Sequence, residues 1–254
     1  MNKSFVFILL ISNHLLATTI LPMEVLMTEK QPKSSHMLDS ISENNGLSLI
    51  SDQDKNVYSV GISTGGLAEI RMARTLANRH IVATTIDPEG ASFAQSQIDQ
   101  ASLSDRIEVK IEDIAQPLPY ADESFDFVYA RLVLHYLPKR DLQNALQELH
   151  RVLKPTGKIF IVVRSTACLE AQAGHYNPEN GMTTYTSKNG GTYSRYFHSQ
   201  DSICDFLENA GFHITYVKTY DEQLCIDFQR TKPSNDTDNL IEVYASKSVN
   251  EADL

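Results

Sequence analysis

The chain has 254 residues, of which 42% are hydrophobic and 21% are charged, and its formal net charge is −10. Such a composition is typical of a globular chain and excludes a disordered or multi-span membrane protein, and the length suits one full-size domain with appendages. An acidic surface repels phosphate backbones, and no cluster of Lys and Arg exceeds two residues. We therefore expect no nucleic-acid partner.

The first 21 residues resemble a secretory signal. A single Lys precedes the apolar run Phe5–Ile11, and small residues follow near residue 17. The segment is too short and too polar for a stable membrane span. The alternative is that translation starts at Met27. The sequence predicts a cytoplasmic protein, or an exported or membrane-associated one if residues 1–21 function as a signal.

The sequence predicts three regions. Residues 1–46 form a signal-like or polar leader, residues 47–247 form the folded domain, and residues 248–254 form a tail. One short helix is expected within the polar segment, around Met37–Ile50. The chain has three scattered cysteines, which do not form a zinc-type spacing or a disulfide framework, so no metal is predicted.

From residue 56 onward, apolar runs alternate with segments of helical periodicity. The predicted strands are Val57–Val60, Ile81–Ile86, Ile107–Ile111, Phe125–Ala130 and Lys158–Val163. The predicted helices are Leu67–Asn78, Ala91–Ala101 and Leu142–Leu153, the last stopped by Lys154-Pro155-Thr156-Gly157. This alternation predicts an α/β fold with a doubly wound, mostly parallel sheet.

The pattern changes after residue 164. Residues 168–197 are rich in Gly and Tyr and are predicted to form a lid or insertion. A helix is expected over Ser199–Ala210, with Ser199 as its cap and Gly211 as its stop. Two alternating segments, Phe212–Tyr220 and Leu240–Ser246, predict antiparallel strands at the sheet edge.

Candidate binding residues follow the first three strands. Gly61–Gly66 joins the first strand to a helix, and glycines there let a ligand approach the backbone and the helix N-terminus. Asp87, 22 residues beyond Gly65, can accept hydrogen bonds from ribose hydroxyls, or it caps the helix opened by Pro88. Asp113, after the third strand, can accept from an adenine amino group or cap a turn.

Four segments together resemble a known family. They are VYSVGISTGG, IDPEG, IEDIAQPLPYADESFDFVYARLVLHYL and ELHRVLKPTGKIFIVV. They are similar to the motifs of class I S-adenosylmethionine-dependent methyltransferases, in the type 11 group that acts on small molecules. The resemblance covers about residues 47–247. It implies a Rossmann-like sheet of seven strands with the last strand inserted antiparallel, S-adenosyl-L-methionine as cofactor, and a small-molecule methyl acceptor.

The resemblance also assigns a cofactor site, residue by residue. Gly61 and Gly65 would pack against the methionine and ribose, Asp87 would bind the ribose, and Asp113 would face the adenine, with Ile114 beside the ring. The full set is Ser59, Gly61, Ser63, Gly65, Asp87, Pro88, Asp113, Ile114, Ala130 and Arg131.

Two positions depart from the family pattern. Ser59 stands where the family has an acidic residue, and Ser63 stands where it has a glycine. A charge-assisted hydrogen bond contributes roughly 1.5–3 kcal/mol against about 1 for a neutral one, so the change would weaken cofactor binding. The alternative function is therefore a degenerate, cofactor-poor or exported binding protein with the same fold.

The acceptor side is less specified. Methyl transfer by in-line displacement needs orientation and exclusion of water, and it needs a general base only for a hydroxyl, amine or acidic-carbon acceptor. The candidate catalytic residues are His135, Arg131, Tyr176 and His198. Arg131, Arg164 and Arg195 could each hold an anionic acceptor or pair with a neighbouring acid. The sequence leaves the acceptor and the oligomeric state open.

Overall fold

The computed structural model describes residues 38–62, 64–186, 190–225 and 232–247. Residues 1–37, including the signal-like segment, and the tail at 248–254 lie outside this part. The strands are β1 Asn56–Val60, β2 His80–Thr85, β3 Ile107–Ile111, β4 Phe125–Arg131, β5 Leu153–Arg164, β6 His175–Tyr176, β7 Thr183–Thr186, β8 Thr192–Arg195, β9 Phe212–Glu222 and β10 Asp238–Lys247. The α-helices are α1 Ile41–Ser48, α2 Leu67–Thr75, α3 Pro88–Gln100, α4 Lys139–Val152, α5 Leu169–Ala173 and α6 Gln200–Asn209.

Seven strands form the main sheet in the order β3-β2-β1-β4-β5-β10-β9. Strands β1 to β5 pair in parallel, and β10 is antiparallel to both of its neighbours. The predicted fold class, a Rossmann-like sheet of seven strands with the last strand antiparallel, is thereby confirmed.

Strand β10 lies inside the sheet between β5 and β9, as an inserted last strand requires, and β9 lies at the edge. Glu242, which interrupts the apolar residues of β10, is fully buried. Its carboxylate accepts hydrogen bonds from Tyr216, Tyr220 and Asn45 and pairs with Lys218 at 2.9 Å. Tertiary partners therefore satisfy a charge that sequence alternation places at the surface.

Apolar side chains fill both faces of the sheet. Successive residues of β1 point to opposite sides, so Val57 and Tyr58 belong to different apolar clusters. Helices α4 and α6 cover one face, and α1, α2 and α3 cover the other. The predicted helix stop at residues 154–157 lies within β5, because the chain passes from α4 directly into that strand.

Residues 168–197 contain a separate small sheet with the order β6-β7-β8, and α5 precedes it. We call this antiparallel sheet the lid sheet. Its apolar side chains Tyr185 and Phe197 pack with Cys168 in a cluster of their own. Helix α6 follows, and the Ser199 side chain caps it as predicted by accepting from the Ser202 amide at 3.1 Å. No helix in the described ranges combines the length and apolar character that crossing a membrane requires.

Helix α1 begins before residue 47, and buried polar contacts hold it against the sheet. Arg131, the last residue of β4, donates from Nε to Ser42 Oγ at 2.6 Å and from Nη2 to Ser40 Oγ at 2.9 Å. Glu222, the last residue of β9, accepts from Ser40 Oγ at 2.7 Å and from the Ser42 amide at 3.0 Å. The Arg131 and Glu222 side chains are 9% and 3% exposed, and their charged groups lie 3.5 Å apart.

Gly46 is the point of closest approach between α1 and the sheet. A Cβ atom at this position would lie 2.5 Å from Phe160 and 2.7 Å from Tyr129, a distance that real Cβ atoms do not show. Arg71 of α2 adds a further contact, donating to Glu43 Oε1 at 2.7 Å. Residues 40–46 are therefore packed as part of the domain.

We expect Arg131→Met to lower the free energy of unfolding by about 3 kcal/mol, because it leaves the buried Glu222 carboxylate without its cation. Chemical denaturation followed by circular dichroism measures this loss. The double variant Arg131→Met/Glu222→Gln removes both charges and should recover most of it. Lys110→Met, in the more exposed pair with Glu108 at 3.1 Å, is the control and should cost no more than about 1 kcal/mol. Equal effects in the two single variants would contradict the role of Arg131.

Candidate cofactor and acceptor site

The glycine loop after β1 has a conformation that only glycine adopts readily. Gly61, Gly65 and Gly66 have φ values of 70°, 71° and 76°. A Cβ atom at Gly61 would lie 2.7 Å from Val133 Cγ2, and one at Gly65 would lie 2.8 Å from Phe93 Cε1. Val133 and Phe93 therefore pack directly against these two glycines, and a larger residue does not fit at either position. Ser63 lies outside the described residues.

The structure places a carboxylate beside Ser59 that sequence reasoning missed. Ser59 Oγ donates to Glu69 Oε1 at 2.6 Å, and both residues are fully buried. Glu69 lies in the first turn of α2, directly after the glycine loop, where the helix N-terminus favours a negative charge. Helical spacing could have revealed it, because Glu69 shares a buried face with Met72 and Ala73.

Asp87 combines the two roles that the sequence left open. It caps α3, and its Oδ1 accepts from the Glu89 amide at 3.1 Å, while Pro88 is the first helical residue. The side chain is exposed at the carboxyl end of β2, and Oδ2 has no hydrogen-bond partner in the described part of the chain. One carboxylate oxygen is therefore available to a ligand.

Asp113 has a similar arrangement at the carboxyl end of β3. Its Oδ1 accepts from the Ala115 amide at 3.0 Å, and Oδ2 has no partner among the residues described. Ile114 is 7% exposed and packs into the core. The exposed apolar surface here comes instead from Ile86 and Ile111, which are 69% and 63% exposed. Each directly precedes an acidic residue at a strand end, Asp87 or Glu112, and this sequence pattern could have identified them as binding candidates.

The predicted residues Ala130 and Arg131, which end β4, are enclosed. Ala130 is fully buried within an apolar cluster, and Arg131 contacts Ser40, Ser42 and Glu222 as described above. Arg164, at the end of β5, donates to Glu170 at 3.1 Å and to Asp238. Of the alternatives for these two arginines, pairing with an acid is the one observed.

Asp238 and Glu170 also lie within 4.8 Å of Cys168 Sγ, a set that could ligate a metal. The Arg164 guanidinium already supplies the positive charge between the two carboxylates. Burial raises the pKa of Asp238 to about 6 despite the opposing effect of Arg164.

His135 and His198 are brought together at the carboxyl ends of β4 and β5. His135 lies in the 3-10 turn Leu134–Tyr136, which follows β4. His198 forms a backbone bridge with Ser165. Both are buried, with exposures of 1% and 0%. Desolvation lowers the pKa of His198 to about 3 and lowers the pKa of His135 well below its ordinary value, so both are neutral near pH 7.

Tyr176, the fourth predicted catalytic residue, lies on β6 of the lid sheet. Its side chain is 57% exposed. Tyr196, directly after β8, joins this region to the turn that follows β4, because its amide donates to the His135 carbonyl at 2.7 Å. The Tyr196 ring also stacks on His198 at 4.4 Å. The predicted acceptor-side residues are therefore divided between a buried histidine pair and an exposed tyrosine.

Comparison with known proteins identifies the central part of the chain. Residues 58–161 match a family model described as a methyltransferase domain. The resemblance to the methyltransferases of class I, type 11 group, is thereby confirmed over these residues. S-adenosyl-L-methionine is the cofactor of such domains.

Curated relatives are similar over shorter segments. A 27-O-demethylrifamycin SV methyltransferase from Amycolatopsis mediterranei is 34% identical over 108 residues, which is 38% of this chain and 39% of that protein. The sterol 4-C-methyltransferase strm-1 of Caenorhabditis elegans is 33% identical over 81 residues, 32% of this chain and 23% of that protein. An uncharacterised Haemophilus influenzae protein is 34% identical over 133 residues, covering 52% of this chain and 50% of that protein. The matches thus span at most about half of these relatives.

Solved structures share the fold at low sequence identity. A SAM-dependent methyltransferase from Methanosarcina mazei has a TM-score of 0.66 and 18% identity, covering 80% of this chain and 96% of that one. The [4+2]-cyclase SpnF has a TM-score of 0.56 and 20% identity, covering 82% and 79%. Similarity at this level concerns the fold, which hosts more than one chemistry.

The described residues fit the cofactor. The glycine loop has the positive-φ backbone that glycine permits, the Oδ2 atoms of Asp87 and Asp113 can accept hydrogen bonds, and Ile86 and Ile111 offer apolar surface beside them. An adenosine-bearing molecule requires this combination of acceptors and apolar contacts.

His198 should make the stability depend on pH. Its pKa is about 3 in the fold and 6.5 in an unfolded chain, so the unfolded state binds more protons between these values and stability falls as the pH decreases from 6.5. We expect His198→Phe to lose less stability than wild type between pH 7 and about pH 4.5. Urea denaturation at each pH measures this, with the exposed His213→Asn as control. Parallel pH profiles for His198→Phe and wild type would contradict the assignment.

Proposed function

We propose that this protein transfers the methyl group of S-adenosyl-L-methionine to a small-molecule acceptor. The observation that carries the proposal is the glycine loop beside two carboxylates, Asp87 and Asp113, each with an oxygen open to a ligand at successive strand ends. Relatives whose names include rifamycin and sterol methyltransferases support a small-molecule acceptor. A cytoplasmic site of action follows from the need for this cofactor.

The chain's contribution is binding and orientation. When bound, S-adenosyl-L-methionine supplies an activated sulfonium methyl group for in-line displacement. Asp87 accepts hydrogen bonds from the ribose hydroxyls, and Asp113 accepts one from the adenine amino group. The exposed side chains of Ile86 and Ile111 lose apolar surface to the adenosine. The lid sheet excludes water from the carboxyl ends of β4 and β5, where the acceptor meets the methyl group.

Glu69 provides the negative charge that Ser59 lacks. We assign this buried carboxylate the role of stabilising the glycine loop and the ammonium group of the cofactor's amino acid part. It acts as a positioning residue through Ser59 and through its field, since neither residue is exposed. The carboxylate that is missing at position 59 is thereby supplied by Glu69 of α2.

The cofactor assignment is tested by calorimetric titration of the full chain with S-adenosylhomocysteine. We expect binding to wild type, and at least tenfold weaker binding to Asp87→Asn, because a hydrogen bond to a charged acceptor contributes about 1.5–3 kcal/mol. Asn retains the helix cap, so the melting temperature should not change. Glu89→Gln, also in the first turn of α3, is the matched control and should bind as wild type does. Absence of a heat signal with wild type at millimolar ligand would refute the proposed function and favour a fold that binds without this chemistry.

The role of Glu69 is tested with two ligands. S-adenosylhomocysteine carries the amino acid part, and 5′-methylthioadenosine lacks it. We expect Glu69→Gln to weaken the first on the order of tenfold and the second by much less. The charge-relocated variant Ser59→Asp/Glu69→Gln should restore affinity for S-adenosylhomocysteine. If Glu69→Gln weakened the binding of both ligands equally, and the double variant did not restore affinity, Glu69 would have only a packing role.

A further inference from the structure

Buried nitrogens without hydrogen-bond partners are concentrated under the lid sheet. Of the five such nitrogens in the described part of the chain, four lie here, namely His135 Nδ1, both ring nitrogens of His198, and Arg195 Nε. The fifth is His150 Nε2 on α4. Buried polar groups are nearly always paired, so several unpaired groups on neighbouring residues indicate a missing ligand or water. This cluster is distinct from the glycine loop and from Asp87 and Asp113.

The three residues come from different elements that meet at one place. His135 follows β4, His198 is bridged to the residue after β5, and Arg195 ends β8. The His135 ring lies 4.5 Å from the Tyr136 ring, and the central guanidinium carbon of Arg195 lies 5.2 Å from the same Tyr136 ring, so the two residues share this neighbour. The cluster therefore lies at the carboxyl edge of the sheet, between the sheet and the lid.

Arg195 differs from the other two candidate arginines. Arg131 and Arg164 pair with carboxylates, whereas Arg195 has no carboxylate within ion-pair distance in the ranges that the structure describes. Its Nη1 donates to Tyr185 Oη, and its Nη2 donates to Tyr136 Oη at 3.2 Å. A partly buried guanidinium without an anion is unfavourable, which an anionic ligand would correct.

Aromatic rings surround this guanidinium. Its central carbon lies 5.2 Å from the Tyr136 ring, 5.5 Å from the Tyr185 ring and 5.9 Å from the Tyr193 ring. Cation–π contacts stabilise the charge without neutralising it. We call these three rings the tyrosine cage. Tyr136 is 50% exposed, so the tyrosine cage is open to solvent on that side.

The geometry indicates which ligand group fits. Nε and Nη2 lie on one edge of the guanidinium plane, and that edge binds both oxygens of a carboxylate. Only the 3.2 Å bond to Tyr136 occupies it. The neutral imidazoles of His135 and His198 each add one donor and one acceptor for further polar groups of the same molecule.

We propose that Arg195, with His135 and His198, forms the acceptor subsite and that the methyl acceptor is a small molecule bearing a carboxylate. This inference rests on the proposed function. Because Nε is covered in this structure, binding moves the Tyr136 ring off the guanidinium edge. The tyrosine cage is then the part of the lid that closes over the acceptor.

The experiment measures ligand binding at Arg195 by NMR and does not require the unidentified acceptor. The full chain, labelled with ¹⁵N and saturated with S-adenosylhomocysteine, is titrated with sodium acetate, with acetamide, and with sodium chloride at matched ionic strength. The Nε–H resonance of Arg195 is identified by its absence in Arg195→Lys. We expect a saturable shift with acetate, and no saturable shift with acetamide or chloride.

Variants separate binding from packing. Tyr136→Phe removes the competing hydroxyl and should tighten acetate binding severalfold, while Arg195→Lys should abolish the saturable response of neighbouring resonances. Both should bind S-adenosylhomocysteine as wild type does. No saturable acetate shift, or equal shifts with acetamide, would overturn the inference. Failure of wild type to bind S-adenosylhomocysteine would instead count against the proposed function, and the acetate titration is then repeated without it.

Discussion

The parallel arrangement of β1 to β5 is the constraint on which the rest of the molecule depends. It brings the carboxyl ends of five strands to one edge, so residues far apart in the chain meet there. The glycine loop follows β1, Asp87 follows β2, Asp113 follows β3, and Arg131 ends β4. Each of these residues is placed by the end of its strand.

Buried charged residues then hold helix α1 against the sheet. Arg131 and Glu222 hold the start of α1, and Glu242 holds Asn45 of the same helix, through contacts between the first and last parts of the domain. Such pairs stabilise only when nearly every oxygen and proton is satisfied, as they are around Glu242. Arg131 is therefore committed to the architecture, and the acceptor side depends on residues from the lid sheet.

Two kinds of unsatisfied group remain, and they divide the site into two halves. The open oxygens of Asp87 and Asp113 lie beside exposed isoleucines at β2 and β3, and they suit an adenosine. The unpaired nitrogens of His135, His198 and Arg195 lie beyond β4 and β5 under the lid sheet, and they suit an anionic acceptor. In the proposed reaction, the methyl group passes between these two halves near the end of β4.

The sequence by itself determined the fold class, most element positions, and the glycine and aspartate motifs, because hydrophobic periodicity and strand-end residues are local properties of the chain. It predicted the Ser199 cap, which depends on a few neighbouring residues. Tertiary structure alone decided that Glu69 stands behind Ser59, and that Arg131 and Arg164 are paired while Arg195 has no ion pair among the described residues. A charged residue has the same sequence signature whether water, a buried partner or a ligand satisfies it, and only the folded arrangement distinguishes these three.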